Sequence, residues 1–148
     1  MNETRSASRI EPDITGLTDA LAQLSFVVTA VLSRIAAEHD LSLTQLRVLA
    51  ILSDRRVRMS ELASYLGLDR STMSGLIDRA EKRALVKRAP SATDGRAVDV
   101  FLSANGQELA ATLFTQISAT LTPMTDSLTP PEQRRLENLL RSLLTSRE

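Results

Sequence analysis

The sequence of 148 residues contains no cysteine, and this absence excludes several kinds of chemistry. Disulfide bonds, thiol nucleophiles, thiol redox sensing and cysteine-ligated metal sites all require a thiol group. The single histidine, His39, also argues against a zinc or haem site, because such sites usually draw on several His or Cys ligands. We therefore expect no cofactor and no bound metal.

Long apolar runs and recognisable catalytic sets are also missing. The sequence has no run of 18 apolar residues, and its polar first 16 residues contain no signal-peptide core. We therefore expect a cytoplasmic protein without a membrane span. No Ser/His/Asp set, no carboxylate pair suited to acid–base chemistry and no phosphate-binding glycine loop is recognisable, so we do not expect an enzyme.

The net charge of zero conceals a strong asymmetry along the chain. Residues 55–96 carry ten basic and five acidic side chains, a net charge of +5, whereas the remaining residues carry eight basic and 13 acidic ones, a net charge of −5. A basic centre between acidic flanks is typical of a surface that meets a polyanion. A mixed, solvated surface would give the same counts, so the arrangement of elements has to decide.

Apolar spacing predicts a mainly helical α+β protein. Steps of four and three from Leu17 to Ile35 predict a long amphipathic helix that ends near His39, after a flexible N-terminal arm over residues 1–16. A second helix is predicted from about Thr44 to Ser53, with Ser42 as its cap and Gln45 as the partner in a capping box.

The basic centre contains two further helices and a hairpin. A short helix over about Ser60–Leu66 ends at Gly67, and Asp69 caps a helix over about Arg70–Arg83. Strands at Leu85–Ala89 and Ala97–Leu102 flank a polar tip and predict a β-hairpin. A helix, a tight turn, a second helix and a hairpin together make a winged helix-turn-helix, whose second helix enters the major groove of DNA.

Two leucine-rich helices follow the predicted hairpin. Ser103 caps a long helix over about Ala104–Ser127, which Pro123 kinks or breaks, and Thr129 with Glu132 opens a last helix with a stripe of leucines. The first helix and these two have more apolar surface than one small winged module covers. We therefore expect a two-fold dimer, with an intramolecular three-helix bundle as the alternative.

The predicted organisation is one domain over residues 17–148. Within it, the winged helix-turn-helix occupies about 42–103, and long flanking dimerisation helices occupy about 17–41 and 104–148.

Six short motifs in this order resemble the multiple antibiotic resistance regulator (MarR) family, and the resemblance covers nearly the whole chain. The most specific part lies in the hairpin and just after it, where an Arg precedes Asp-x-Arg and Leu-Ser-x-x-Gly. The motifs are Ser60-Glu61-Leu62-Ala63, Leu66-Gly67-Leu68, Ser71-Thr72-Met73-Ser74, Leu85-Val86-Lys87-Arg88, Asp94-Gly95-Arg96 and Leu102-Ser103-Ala104-Asn105-Gly106.

This resemblance implies a homodimeric, sequence-specific regulator of transcription that binds a pseudo-palindromic site on double-stranded DNA. Such proteins commonly repress, and many release DNA when a small aromatic or anionic effector binds between the dimerisation and DNA-binding regions. Two positions depart from the family pattern: Gly95 replaces a residue that is often basic, and Gly75 replaces a base-reading side chain of some members.

The hairpin tip supplies the first candidate contacts to DNA. The Arg96 guanidinium suits the narrow minor groove, where the negative potential of A·T-rich DNA is strongest. We expect Asp94 to hold it extended through a charge-assisted hydrogen bond. An exposed ion pair of little consequence is the alternative.

The predicted recognition helix supplies the remaining candidates. Ser71, Thr72 and Ser74 near its N-terminus suit phosphate oxygens, although Thr72 can also serve the helix cap alone. Arg70 and Arg79 on the outer face suit guanine edges. The alternative is an intrahelical pair of Asp78 with Arg79 or Lys82.

Two residues are candidates for an effector site, and two other functions stay open. His39 suits an effector contact or a cation beside the last carbonyls of its helix, and Arg47 suits an anionic effector beneath the first helix. A winged-helix DNA-binding protein without a ligand is one alternative function. A protein-interaction module that uses the basic winged face is the other.

Overall fold

The computed structural model describes residues 14–146, so most of the predicted N-terminal arm lies outside the described residues. Six α-helices, one 3-10 helix and three short strands follow one another along this part of the chain. They are α1 (Ile14–Glu38), α2 (Leu43–Leu52), β1 (Val57–Arg58), α3 (Met59–Leu66), α4 (Arg70–Lys82), β2 (Val86–Pro90), β3 (Val98–Leu102), α5 (Ala104–Leu121), a 3-10 helix (Thr122–Thr125) and α6 (Pro130–Thr145). The fold is the predicted winged helix-turn-helix with long flanking helices.

Local capping explains where the helices begin. The Ser42 hydroxyl accepts the Gln45 backbone N–H at 3.1 Å, and the Gln45 side chain accepts the Ser42 N–H at 2.8 Å. Before α6, the Glu132 carboxylate accepts the Thr129 N–H at 2.8 Å. The hydrogen bonds that Glu132 accepts from Thr129 lower the pKa of Glu132. These bonds confirm the predicted capping residues. Spacing alone could predict them, because such bonds form between near neighbours in the chain.

Two helix bounds differ from the prediction. Helix α1 begins at Ile14, inside the predicted arm, three residues before Leu17. Helix α5 ends at Leu121 rather than at Ser127, and Pro123 lies in the 3-10 helix that follows. Proline has no N–H to donate to the helix, so the predicted break occurs where the proline lies.

A third strand was not predicted. Strand β1 pairs antiparallel with β3, with Val57 opposite Val100, and β2 pairs with the other edge of β3, so the sheet order is β1-β3-β2. Two residues are too few to show an alternating pattern. On β3, Val100 and Leu102 are buried, but Val98 at the start of the strand is exposed.

The hydrophobic core lies under the winged module and the C-terminal end of α1. Leu62, Met73, Ile77 and Val100 are fully buried within it, and Ile35 and Leu113 join it from the two long helices. The core therefore fixes α4 and the hairpin relative to each other.

Many apolar side chains of the long helices are exposed in the described chain. Helix α6 has no buried residue, and Leu17, Leu21 and Phe114 are 63%, 42% and 73% exposed. By length and composition, residues Thr15–Glu38 could also cross a membrane, a property that the expectation of no membrane span overlooked. One such helix is weak evidence for a span, because helices that pack against another protein chain have the same length and composition.

Candidate nucleic-acid interface

The N-terminus of α4 is built by an aspartate cap. Both oxygens of Asp69 are used: one accepts the Thr72 N–H and the other the Thr72 hydroxyl, each at 2.8 Å. Both bonds lower the pKa of Asp69, and the bond from the backbone N–H has the larger effect. The Thr72 hydroxyl thus serves the cap, whereas Ser71 is exposed beside it and Ser74 is partly buried one turn further along.

Helix α4 presents two arginines to solvent. Met73, Leu76, Ile77 and Ala80 are buried on its inner face. Arg70 and Arg79 are exposed, and their guanidinium groups have no hydrogen-bond or ion-pair partner within residues 14–146. An unpaired guanidinium keeps all of its donors available for phosphates or base edges.

Gly75 lies on the same side of α4 as Arg79. A Cβ at Gly75 would lie 3.6 Å from Nη1 of Arg79, an ordinary van der Waals distance. Packing within the chain therefore does not require glycine at this position.

We call the β2–β3 hairpin the wing. Its tip is closed by local hydrogen bonds. The Ser91 N–H donates to the Ala97 carbonyl at 2.9 Å, and the Ala97 N–H donates to the Asp94 carbonyl at 3.0 Å. The Asp94 carboxylate accepts the backbone N–H of Arg96 at 3.0 Å. We expected that carboxylate to bind the guanidinium, and this expectation is wrong: Asp94 fixes the backbone of the tip and leaves the Arg96 guanidinium without a partner in the described chain.

Arg88 connects the wing to α4, and the sequence did not reveal this contact. Its guanidinium forms a short ion pair with Asp78, lies 3.6 Å from Glu81 and donates to the Ser74 carbonyl at 3.3 Å. The alternative of an intrahelical pair of Asp78 with Arg79 or Lys82 is therefore wrong. In the sequence, Asp78 and Glu81 lie one turn apart on α4 and indicate a basic partner. Which residue that partner is depends on how β2 packs against α4.

An open cleft of about 660 Å³ lies between α3, the N-terminal half of α4 and the wing. Its lining includes Arg58, Arg70, Arg88 and Arg96. Arg58 donates to the Thr93 hydroxyl at 3.3 Å and so supports the wing tip. Asp78 and Glu81 neutralise Arg88, so the other three guanidinium groups are the charges of the cleft that favour an anionic partner.

The two effector candidates lie apart in the hydrogen-bond network. His39 Nε2 lies 2.9 Å from Oε1 of Gln116 on α5. The exposed Arg47 donates to the Tyr65 carbonyl at the end of α3, at 3.3 Å. No hydrogen bond or ion pair joins Arg47 to α1 in the described part of the chain. Residues 14–146 also contain no group of three or more His, Asp or Glu side chains that could hold a metal ion.

Comparison with known proteins places this arrangement among winged helix-turn-helix regulators. A sequence model of the MarR family matches residues 39–97. An uncharacterised helix-turn-helix-type transcriptional regulator of Bacillus subtilis, YfiV, is 32% identical over 96 residues, which cover 64% of this chain. The match spans 60% of the length of that curated relative.

Solved structures share the fold at low sequence identity. Apo MarR from Escherichia coli is 24% identical, with a TM-score of 0.72 over 86% of this chain and 96% of that one. NadR, solved in complex with 4-hydroxyphenylacetate, is 21% identical, with a TM-score of 0.73 over 97% of this chain and 96% of that one. At these identities the likeness shows the fold alone.

Proposed function

We propose that this chain, which matches the MarR family model over residues 39–97, is a homodimeric, sequence-specific DNA-binding regulator of transcription of that family. We propose further that it acts in the cytoplasm as a repressor that a small-molecule effector releases from DNA. The observation that carries the DNA-binding proposal is a set of exposed guanidinium groups at α4 and the wing that have no partner within residues 14–146, namely Arg70, Arg79 and Arg96.

In the proposed complex, α4 enters the major groove. Arg70 and Arg79 reach base edges or phosphates there, and Ser71 and Ser74 near the start of the helix supply hydroxyls to the backbone. The Asp69 cap already uses Thr72, so we assign Thr72 to positioning of the helix end. Arg96 extends from the tip that Asp94 stiffens and enters the adjacent minor groove.

The unpartnered helices support the dimer. A 16-residue helix is marginal in water by itself, and α6 buries no residue against the described residues 14–146. Its leucines and the apolar face of α1 need a partner surface, which a second copy supplies through two-fold symmetry. Two recognition helices about 34–36 Å apart would then meet successive major grooves on one side of the duplex.

The effector is proposed on narrower grounds. NadR is solved with 4-hydroxyphenylacetate, an aromatic carboxylate, which supports an aromatic or anionic ligand for this chain as well. His39 lies where α1 and α5 meet and is the better placed of the two candidates, since Arg47 contacts the end of α3. A ligand there would change DNA affinity only by binding one head arrangement more tightly than the other.

Fluorescence anisotropy with the DNA upstream of the protein's own gene tests the proposal. We expect binding that is tighter than to unrelated DNA and that weakens steeply with salt, because phosphate contacts release counterions. Arg96→Ala should weaken binding by about tenfold and reduce the salt slope by about one unit.

Arg134→Ala serves as the matched control, because this exposed arginine lies on α6, away from the proposed interface. Equal, weak binding to both DNAs that Arg96→Ala leaves unchanged would contradict the proposal and favour a winged module that binds an acidic protein.

A further inference from the structure

Three segments of the chain meet at one point between the long helices and the winged module. We call this point the joint; it consists of residues 39–41 after α1, residues 83–85 after α4 and residues 103–106 at the start of α5. The recognition helix thus ends where both long helices are attached to the head. A contact at the joint acts on the orientation of the recognition helix relative to the proposed dimerisation region.

Helices α1 and α4 end in the same way at the joint. The Leu41 N–H donates to the Ala36 carbonyl at 2.9 Å, and the Leu85 N–H donates to the Ala80 carbonyl at 3.0 Å. Asp40 and Ala84, the residues before these leucines, both have a φ of 55°. Such ends turn the chain sharply and leave carbonyl groups at the helix terminus that need donors.

Arg83 satisfies two of these carbonyls across the joint. Its Nη1 donates to the Asp40 carbonyl at 2.7 Å, and its Nη2 donates to the His39 carbonyl at 3.0 Å. A positive group at the C-terminus of α1 also complements the helix dipole. The cation that we expected His39 to provide is therefore provided by Arg83, whereas His39 binds Gln116 through its ring.

The attachment of α4 to α5 is of a different kind. The Ser103 hydroxyl donates to the Ala84 carbonyl at 2.5 Å, and the Ser103 N–H donates to the Leu85 carbonyl at 3.0 Å. A Cβ at Gly106 would lie 2.0 Å from the Leu85 carbonyl oxygen, so the two backbones are in direct contact. This contact leaves little freedom between α4 and α5.

By contrast, one side chain supplies the hydrogen bonds between α4 and the end of α1, beside the apolar packing of Leu41 in the shared core. Among residues 14–146, the two bonds of Arg83 are the only hydrogen bonds or ion pairs between these segments. We infer that Arg83 is a positioning residue that fixes the angle between the recognition helix and α1, and with it the separation of the two recognition helices in the dimer. The part of this inference that concerns the dimer rests on the proposed function.

The absence of cysteine makes the angle measurable with spin labels. Thr29→Cys on α1 and Glu61→Cys on α3 place labels at exposed positions outside the joint and outside the proposed DNA interface. Diluting the labelled chain with unlabelled protein isolates the distance within one protomer. We expect a narrow distribution, which Arg83→Ala broadens and Arg83→Lys partly restores, because one ammonium group replaces the two-pronged guanidinium.

Lys82→Ala is the matched control, since Lys82 is the exposed neighbouring residue and makes no hydrogen bond or ion pair in the described chain. An Arg83→Ala distribution identical to that of the unsubstituted chain would overturn the inference. This result does not depend on dimerisation. A label at Glu61→Cys alone reports the distance between protomers. If no such distance is detected, the result counts against the proposed dimer instead.

DNA binding provides the second readout. Arg83→Ala should reduce affinity by about tenfold, equivalent to about 1.4 kcal/mol, and leave the salt slope unchanged, because Arg83 binds carbonyls rather than phosphates. A reduced slope, as expected for Arg96→Ala, would mean that Arg83 contacts DNA directly and would also overturn the inference.

Discussion

At the residue scale, the cap of the recognition helix should make stability depend on pH. Asp69 accepts two hydrogen bonds from Thr72, and its pKa is lowered in the folded chain. A lowered folded pKa contributes stability above the unfolded pKa, near 3.9, and this contribution is lost as the pH falls through the folded value. The Asp69 carboxylate thus stabilises the start of α4 near neutral pH, and this stabilisation is lost when the carboxylate is protonated in acid.

Asp69→Asn isolates this effect, because asparagine caps helices well but does not titrate in this range. Near neutral pH the variant should be slightly less stable, since it lacks a negative charge at the helix N-terminus. The difference in unfolding free energy between the two proteins should shrink below about pH 4. Urea unfolding at several pH values measures it, and a difference that stays constant into acid would contradict the assignment.

The residues that sequence predicted correctly are those whose contacts are local. Asp69, Ser42 and Glu132 bond to groups three positions away, so spacing alone identifies them. Arg88 was missed because its partners lie on another element and depend on how β2 packs on α4. Asp94 was found, but its bond to the backbone instead of to the guanidinium depends on the conformation of the turn, which spacing does not specify.

At the element scale, three helices end with a residue in the left-handed conformation. Gly67 ends α3 with a φ of 64°, while Asp40 and Ala84 take the same place after α1 and α4. Glycine adopts this conformation without strain, whereas a residue with a Cβ carries a cost of roughly 1–2 kcal/mol. Among these three helix ends, only Gly67 shows the usual sequence signal.

Replacing Ala84 by glycine should stabilise the chain. The relief of backbone strain exceeds the extra entropy of glycine in the unfolded state, about 0.4–1 kcal/mol, so we expect a net gain of about 0.5–1 kcal/mol. Thermal unfolding should show a midpoint higher by roughly 1–4 °C. Ala111→Gly on the exposed face of α5 is the control and should lose about 1 kcal/mol. A loss of stability in Ala84→Gly would show that the left-handed residue carries no strain.

At the scale of the whole molecule, the described chain has a core on one side only. The winged module and the end of α1 enclose the buried residues, while α6 and most of α1 leave their apolar side chains exposed. The heptad spacing predicted the amphipathic face of α1 but not how little of it the chain covers by itself, because burial of that face requires a surface outside the described residues. A second copy and a membrane are two surfaces that suit this composition.

Charges placed on the leucine stripe of α6 distinguish these surfaces. Leu139 and Leu143 are 56% and 53% exposed in the single chain, and burial of a leucine in an interface contributes about 1.5–3 kcal/mol. Leu139→Glu with Leu143→Glu should raise the dissociation constant of the dimer by at least about a hundredfold, since every 1.4 kcal/mol is tenfold. Light scattering over a concentration series measures this change, and Asn138→Glu adds a charge to the same helix outside the leucine stripe as a control.

Circular dichroism shows whether the winged module stays folded in the variant, as it should, because its core includes no residue of α6. A monomer at every concentration before substitution, together with flotation on lipid vesicles, would assign the exposed helices to a membrane instead.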